Sequence, residues 1–123
     1  MNKRVTVLYV DDELINQFIF QRTFESYFNI LTATSGEEAL KTLESNSGTI
    51  NVVISDMRMP GMDGLTFIKK ARQNFSDLAY YLLTAFSFNE EIDRAVQEQI
   101  VRSCFSKPYD VAAVRSEIEH AAA

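Results

Sequence analysis

The stretch VVISDMRMPGMDG, residues 52–64, gives the clearest indication of the fold. Its first part is an apolar, β-branched run, which is typical of a strand that is buried on both faces of a parallel sheet. Asp56 follows, and then Pro60, Gly61 and Gly64 break the chain into a loop. A carboxylate at the end of a buried strand costs free energy unless a charged or hydrogen-bonding group faces it. We therefore expect other parts of the chain to supply such a group.

Apolar runs alternate with helix-like stretches along the whole chain. The strand-like runs occupy residues 5–10, 29–34, 52–55, 79–84 and 101–106. Stretches with helical spacing or helix-capping residues follow at residues 13–27, 35–46, 65–74, 89–98 and from 110 onward. Five βα units in succession predict one parallel sheet with helices on both faces.

Several polar residues mark the expected helix starts. Ser35 and Glu38 form a capping-box pattern, and Asp63, Asn89 and Asp110 are expected to cap the third, fourth and fifth helices. Along the first helix, helical spacing indicates one apolar face, formed by Ile15, Phe18, Ile19 and Phe24. Aromatic residues in and after this helix are interpreted as packing residues rather than a cofactor stack: Phe18, Phe20, Phe24 and Phe28.

Length and composition restrict the classes of function. The 123 residues predict a single domain over residues 1–123. The net charge is −5 and no basic stripe is present, so direct binding of nucleic acid by this chain is not expected. The apolar run at the start stops at Asp11, which is too early for a signal peptide, and no run approaches a membrane span. Cys104 is the only cysteine, which favours a reducing compartment and predicts a cytoplasmic protein.

The ends of the predicted strands bring chemically useful side chains together. Asp11 and Asp12 follow the first strand, Asp56 follows the third, Thr84 ends the fourth and Lys107 follows the fifth. The carboxyl ends of parallel strands meet at one edge of the sheet, where open α/β sheets bind ligands. Clustered carboxylates repel one another and favour a bound cation, and oxygen ligands in an open pocket suit Mg²⁺. Together with a lysine and a hydroxyl, such a site could hold a phosphoryl group, with a carboxylate as the nucleophile.

Four short motifs stand at these strand ends: VDD at 10–12, SDMRMPGMDG at 55–64, LTA at 83–85 and SKP at 106–108. Together they resemble the receiver domain of bacterial two-component response regulators, and the resemblance covers essentially the whole chain. It implies a flavodoxin-like, doubly wound (βα)5 fold with a parallel five-stranded sheet in the order 2-1-3-4-5. It also implies that Asp56 is the phosphoacceptor, and that Thr84 and Lys107 contact the phosphoryl group. By the same resemblance Asp12, Asp56 and the backbone carbonyl of Arg58 bind Mg²⁺, Asp11 assists, and the Lys107–Pro108 bond is cis.

The resemblance also implies the function. The chain would be a phosphorylation-dependent switch that receives its phosphoryl group from a sensor histidine kinase or a histidine phosphotransfer protein. It would catalyse its own phosphorylation and dephosphorylation without being a conventional turnover enzyme. The output would pass to a downstream protein or to a C-terminal output domain outside these 123 residues.

Three positions depart from the family pattern or flank its site. Cys104 stands where many receivers have an aromatic residue that swings inward when the threonine moves. Arg58 and Phe86 lie two residues after Asp56 and Thr84, where they would influence the access of water. We therefore expect the loop at 85–89, with its two phenylalanines, to take a larger part in any switch.

Other interpretations of the same residues are open. Asp11 and Asp12 could cap the first helix, and Asp56 could start a turn. An aspartate-dependent phosphohydrolase would usually have a second aspartate at the position of Arg58, and a flavin-binding module would need a phosphate loop in place of DDELIN. A structural adaptor with a receiver-like fold would not need the intact set of site residues. His120, near the C-terminal end, is expected to be exposed rather than a catalytic base.

Overall fold

The computed structural model describes residues 4–85 and 89–122. Strands and helices alternate in chain order: β1 (Thr6–Val10), α1 (Leu14–Phe24), β2 (Asn29–Ala33), α2 (Gly36–Ser45), β3 (Val52–Asp56), α3 (Gly64–Asn74), β4 (Ala79–Thr84), α4 (Glu90–Gln97), β5 (Ser103–Ser106) and α5 (Val111–Ala121). All strand pairs are parallel and the sheet order is β2-β1-β3-β4-β5. The predicted fold class is therefore confirmed. None of the helices in the described ranges is both long enough and apolar enough to cross a bilayer.

The sheet separates two apolar cores. Successive residues of a strand point to opposite faces, so β1 contributes to both cores. One core lies under α2, α3 and α4 and includes Leu8, Val53, Leu43, Ile68 and Ile92. The other lies under α1 and α5 and includes Val7, Tyr9, Ile54, Phe24 and Ile118. Because β1 and β3 are covered on both faces, every residue of these two strands is buried.

The expected helix caps are present. Ser35 accepts a hydrogen bond from the Glu38 N–H, and Asp63, Asn89 and Asp110 each accept from the first turn of the helix that follows. The Glu38 carboxylate accepts from the Thr34 N–H, so the capping box is closed one residue earlier than in the usual pattern. These local bonds fix where four of the helices begin, and hence where the strand ends lie relative to them.

The first helix differs from the prediction. Its buried residues are Gln17, Phe20 and Phe24, and the helix ends at Phe24 rather than near residue 27. Apolar residues predicted to form the packed face are largely exposed: Ile15 at 60%, Phe18 at 61% and Ile19 at 49%. Spacing could not select the buried face, because the sequence LINQFIF is apolar nearly all round the helix. Gln17 is buried because its amide donates to the backbone carbonyls of Asp11 and Ala33, which tie α1 to the ends of β1 and β2.

Candidate functional site

Three carboxylates meet at the carboxyl edge of the sheet. Residues β1 Val10 and β3 Ser55 are register partners, so the residues that follow them emerge side by side. One oxygen from each of Asp11, Asp12 and Asp56 lies within 4.8 Å of the others. Asp11 and Asp56 are buried, whereas Asp12 is exposed. The arrangement is a small acidic pocket that opens to solvent on the side of Asp12.

Lys107 supplies the cation that the sequence led us to expect opposite Asp56. Its Nζ lies 3.2 Å from Asp56 Oδ1 and 3.7 Å from Asp11 Oδ2. The Lys107 N–H donates to the Thr84 carbonyl at 2.8 Å, which holds the end of β5 against the end of β4. The Lys107–Pro108 peptide bond is cis, as the resemblance implied.

A tyrosine that the sequence analysis did not single out holds Asp11. Tyr9 Oη donates to Asp11 Oδ2 at 2.8 Å, and the Glu13 N–H donates to Asp11 Oδ1 at 2.9 Å. Burial, reinforced by the Asp11 charge, raises the pKa of Tyr9 well above its ordinary value, so the hydroxyl keeps its proton and remains a donor. Strand alternation could have predicted this contact, because residues 9 and 11 lie on the same side of the chain.

The electrostatic environment of Asp56 is unbalanced. Burial raises the pKa of its carboxyl group above the usual range, the Lys107 ammonium opposes this shift, and the charges of Asp11 and Asp12 add to it. One lysine therefore does not offset the burial and mutual repulsion of the carboxylates. The charged form of Asp56 would gain from a further cation in the pocket.

Thr84 and Arg58 lie beside the carboxylates. Thr84 is buried at the end of β4, one residue beyond the Asp56–Leu83 register pair. Its neighbourhood includes a cavity of about 600 Å³ lined by Met57, Arg58, Met59, Pro60, Asp63, Thr84, Asn89 and Ile92. The Arg58 side chain is exposed. The predicted roles of Phe86 and Phe88 fall outside the described residues.

A close backbone contact explains the glycine at the end of the β3 loop. A Cβ on Gly64 would collide with the Asp56 backbone oxygen and would lie 3.0 Å from the Met57 Cα. The Gly64 N–H donates to the Met57 carbonyl at 2.9 Å, so α3 starts directly against the end of β3. Only a residue without a side chain permits this approach, and the position of Asp56 depends on it.

Cys104 faces the core under α3 and α4. It pairs with Leu82 across the β4–β5 ladder and is partly buried, and burial raises the pKa of its thiol. Phe105 points to the opposite face, as predicted, and stacks on Tyr81 with ring centroids 5.4 Å apart. His120 is exposed, and its Nδ1 lies 3.1 Å from the Ser116 carbonyl oxygen.

Comparison with known proteins assigns the family. The model of the response regulator receiver domain matches residues 7–119. The chain belongs to this family. A receiver domain is a signalling domain of two-component systems that responds to phosphorylation, rather than a conventional enzyme.

Related proteins combine a receiver domain with much longer sequences. HoxA, a hydrogenase transcriptional regulatory protein of Cupriavidus necator, is 32% identical over 108 residues, which are 88% of this chain and 22% of that protein. NtrC, a DNA-binding transcriptional regulator of Escherichia coli, is 33% identical over 122 residues, which are 97% of this chain and 25% of that protein. The chain therefore spans about a quarter or less of the length of these curated relatives.

Solved structures with the same fold include a receiver domain. A response regulator receiver domain protein from Clostridium thermocellum superposes with a TM-score of 0.85 at 25% identity, covering 95% of this chain and 93% of that one. A structure described as adenylate cyclase from Rhodopirellula baltica gives a TM-score of 0.89 at 30% identity, covering 97% and 87%.

Proposed function

We propose that Asp56 is the phosphoacceptor of this receiver domain, which we take to extend over residues 1–123. The observation behind the proposal is the ion pair between Lys107 and Asp56 at 3.2 Å, inside a cluster of three carboxylates at the end of β3. The pair supports the proposal because the Asp56 oxygen, the proposed nucleophile, lies next to a cation that would neutralise the charge of an incoming phosphoryl group.

The donor set of this receiver site fits Mg²⁺. Carboxylate oxygens within 4.8 Å of one another are hard ligands. Burial and the charges of Asp11 and Asp12 raise the pKa of Asp56 despite Lys107, which supports a site for a further cation. Asp12, Asp56 and the backbone carbonyl of Arg58 would hold the ion. Asp11 would assist through its own oxygens, which already accept two hydrogen bonds. When bound, Mg²⁺ supplies charge neutralisation for the transferred oxygens.

The remaining site residues have complementary roles in this proposal. Asp56 attacks phosphorus while the bond to the donor breaks, and Lys107 compensates the charge that the new aspartyl phosphate adds. Thr84, buried at the neighbouring strand end, offers its hydroxyl to a phosphoryl oxygen. The domain would thus catalyse its own phosphorylation and, by activating water, its own dephosphorylation.

An exposed apolar surface lies beside the site and suits a protein donor. The α1 surface, defined here as Leu14, Ile15, Phe18 and Ile19, begins two residues after Asp12, and its side chains are 49% to 70% exposed. Exposed apolar patches of this kind mark protein contacts. We propose that a sensor histidine kinase or a histidine phosphotransfer protein docks here. The signal would pass to a downstream protein or an output domain, and the location would be cytoplasmic.

Labelling by a small phosphodonor tests the acceptor. Purified protein treated with acetyl phosphate and Mg²⁺ should gain one acid-stable, base-labile phosphoryl group on a peptide that contains Asp56, as read by mass spectrometry. Asp56→Asn should gain none. A phosphoryl group of the same lability on the Asp56→Asn protein would contradict the assignment.

A further inference from the structure

Tyr9 carries a polar hydroxyl within an interior strand of the sheet. It lies in β1, its residue is 1% exposed, and its neighbours Leu8 and Val10 are aliphatic. A buried tyrosine hydroxyl needs a hydrogen-bond partner, and this one donates to Asp11 Oδ2 at 2.8 Å. The side chain thus joins the apolar core under α1 and α5 to the acidic pocket.

The ring of Tyr9 is held on its apolar side by stacked aromatic residues. Phe20 stacks on it with centroids 4.1 Å apart and planes inclined by 7°. Phe20 in turn contacts Phe24 at 4.6 Å and Tyr109 at 6.2 Å between centroids. Because this stack restrains the ring, the hydroxyl stays within donating distance of Asp11.

The Tyr9 hydroxyl also affects the position of the Lys107 ammonium. Tyr9 Oη and Lys107 Nζ both approach Asp11 Oδ2, at 2.8 Å and 3.7 Å. The shorter contact belongs to the neutral hydroxyl, and the ammonium lies nearer to Asp56 Oδ1, at 3.2 Å. Without the hydroxyl, the Lys107 ammonium would be the remaining partner of Asp11 Oδ2 among the described residues, and Lys107 would move toward this fully buried carboxylate.

We propose that Tyr9 is a positioning residue of the metal site, which keeps the Asp11 carboxylate turned for cation binding and keeps Lys107 on Asp56. The inference rests on the Mg²⁺ site proposed above. Loss of the hydroxyl frees Asp11 to rotate toward Lys107 and draws the ammonium deeper into the pocket. Both changes oppose a bound cation, and removing partners that orient ligand side chains typically lowers metal affinity about tenfold or more.

Isothermal titration calorimetry with Mg²⁺ alone tests this inference on Tyr9→Phe, which keeps the stacked ring. We expect the dissociation constant for Mg²⁺ to rise about tenfold. Tyr80→Phe is the matched control, because it removes another buried hydroxyl, one that donates to the Phe75 carbonyl at 2.7 Å, away from the site. If the role of Tyr9 is purely structural, Tyr9→Phe should behave like Tyr80→Phe: its stability should fall, and its Mg²⁺ affinity should equal that of wild type.

A double-mutant cycle shows whether Tyr9 acts through Asp11. The stabilities of wild type, Tyr9→Phe, Asp11→Asn and the double variant are measured by urea unfolding without metal. The Tyr9→Phe effect should shrink in the Asp11→Asn background. Equal effects in both backgrounds, or Mg²⁺ affinity in Tyr9→Phe that equals or exceeds wild type, would overturn the inference. If wild-type protein itself fails to bind Mg²⁺, the proposed metal site is wrong instead.

Discussion

Removing the exposed carboxylate of Asp12 should have opposite effects on stability in metal-free and in Mg²⁺-containing solutions. In the metal-free protein Asp12 lies in a cluster with two other carboxylates, and its removal relieves repulsion. With Mg²⁺ present, the same change removes a proposed ligand. We therefore expect Asp12→Ala to be more stable than wild type without the ion and less stable with it.

The size of the first effect follows from the cluster geometry. Carboxylate oxygens at the 4.8 Å limit of the cluster repel by about 0.9 kcal/mol per pair in a water-like dielectric, which is appropriate for the exposed Asp12. Asp11 and Asp56 are two such neighbours. The N-terminus of α1 offsets part of this repulsion, because a nearby carboxylate there is stabilised by about 0.3–1 kcal/mol. The net gain for the metal-free variant is about 1 kcal/mol.

The second effect follows from binding. A ligand at a hundred times its dissociation constant stabilises the folded state by about 2.7 kcal/mol. The free energy of unfolding of wild type should rise by this amount when Mg²⁺ is added, and that of Asp12→Ala should rise little. With Mg²⁺, wild type should therefore be the more stable protein by about 1–2 kcal/mol.

Urea unfolding with a chelator and with excess Mg²⁺ measures both values. Asp77→Ala is the control, since Asp77 is an exposed carboxylate just before β4, at the opposite edge of the sheet. It should change stability little in either solution. The reasoning is refuted if Asp12→Ala is less stable than wild type without metal, or if Mg²⁺ stabilises both proteins equally.

Four further outcomes are expected. Because the folded pKa of Asp56 is raised, the metal-free protein should lose stability relative to Asp56→Asn as the pH rises through that pKa. Below the ordinary aspartate range residue 56 is uncharged in both proteins, so its contribution to the difference should no longer change with pH, as followed by urea unfolding across pH. Gly64→Ala should cost about 1–3 kcal/mol and weaken Mg²⁺ binding by displacing the Asp56 carbonyl. Its control is Gly48→Ala, at φ +88° with open space around it, which should destabilise the protein without changing Mg²⁺ affinity. Phe18→Ser should slow phosphoryl transfer from the cognate phosphorylated protein but leave labelling by acetyl phosphate unchanged, since its side chain is 61% exposed and outside the pocket. Cys104→Ala should leave the change in amide exchange on adding beryllium fluoride largely intact, because the thiol is small and only partly buried. Loss of that change would show that the thiol is needed for the switch.

The arrangement of the strands was predictable because burial on both faces leaves a simple pattern. Residues 52–55 and 79–84 are mostly apolar without regular alternation, and both are interior strands in the structure. Because the carboxyl ends of parallel strands meet at one edge of the sheet, Asp11, Asp56 and Lys107 come together there independently of the loop conformations. The order of the strands came from the resemblance rather than from the pattern.

The parts that were missed depend on packing. The buried face of α1 is selected by Phe20 against Tyr9 and by Gln17 against two backbone carbonyls. Neither contact follows from helical spacing, since apolar residues lie nearly all round the first two turns of the helix. The donor on Asp11 was missed for a related reason: a tyrosine in a buried strand resembles an apolar core residue until its hydroxyl is located.

The strand order also divides the site along the chain. β1, β2 and β3 lie side by side, so the first 56 residues contain three neighbouring strands and all three clustered carboxylates. Thr84 and Lys107 come later in the chain, from β4 and the end of β5, on the side of the sheet that ends in the edge strand β5. β5 is a short edge strand without a fully buried residue, whereas β3 is buried throughout. In the proposed switch, β5 would shift at low energetic cost when Lys107 follows an added phosphoryl group, while the strands that bear the carboxylates stay fixed. The domain would then respond without releasing its bound cation.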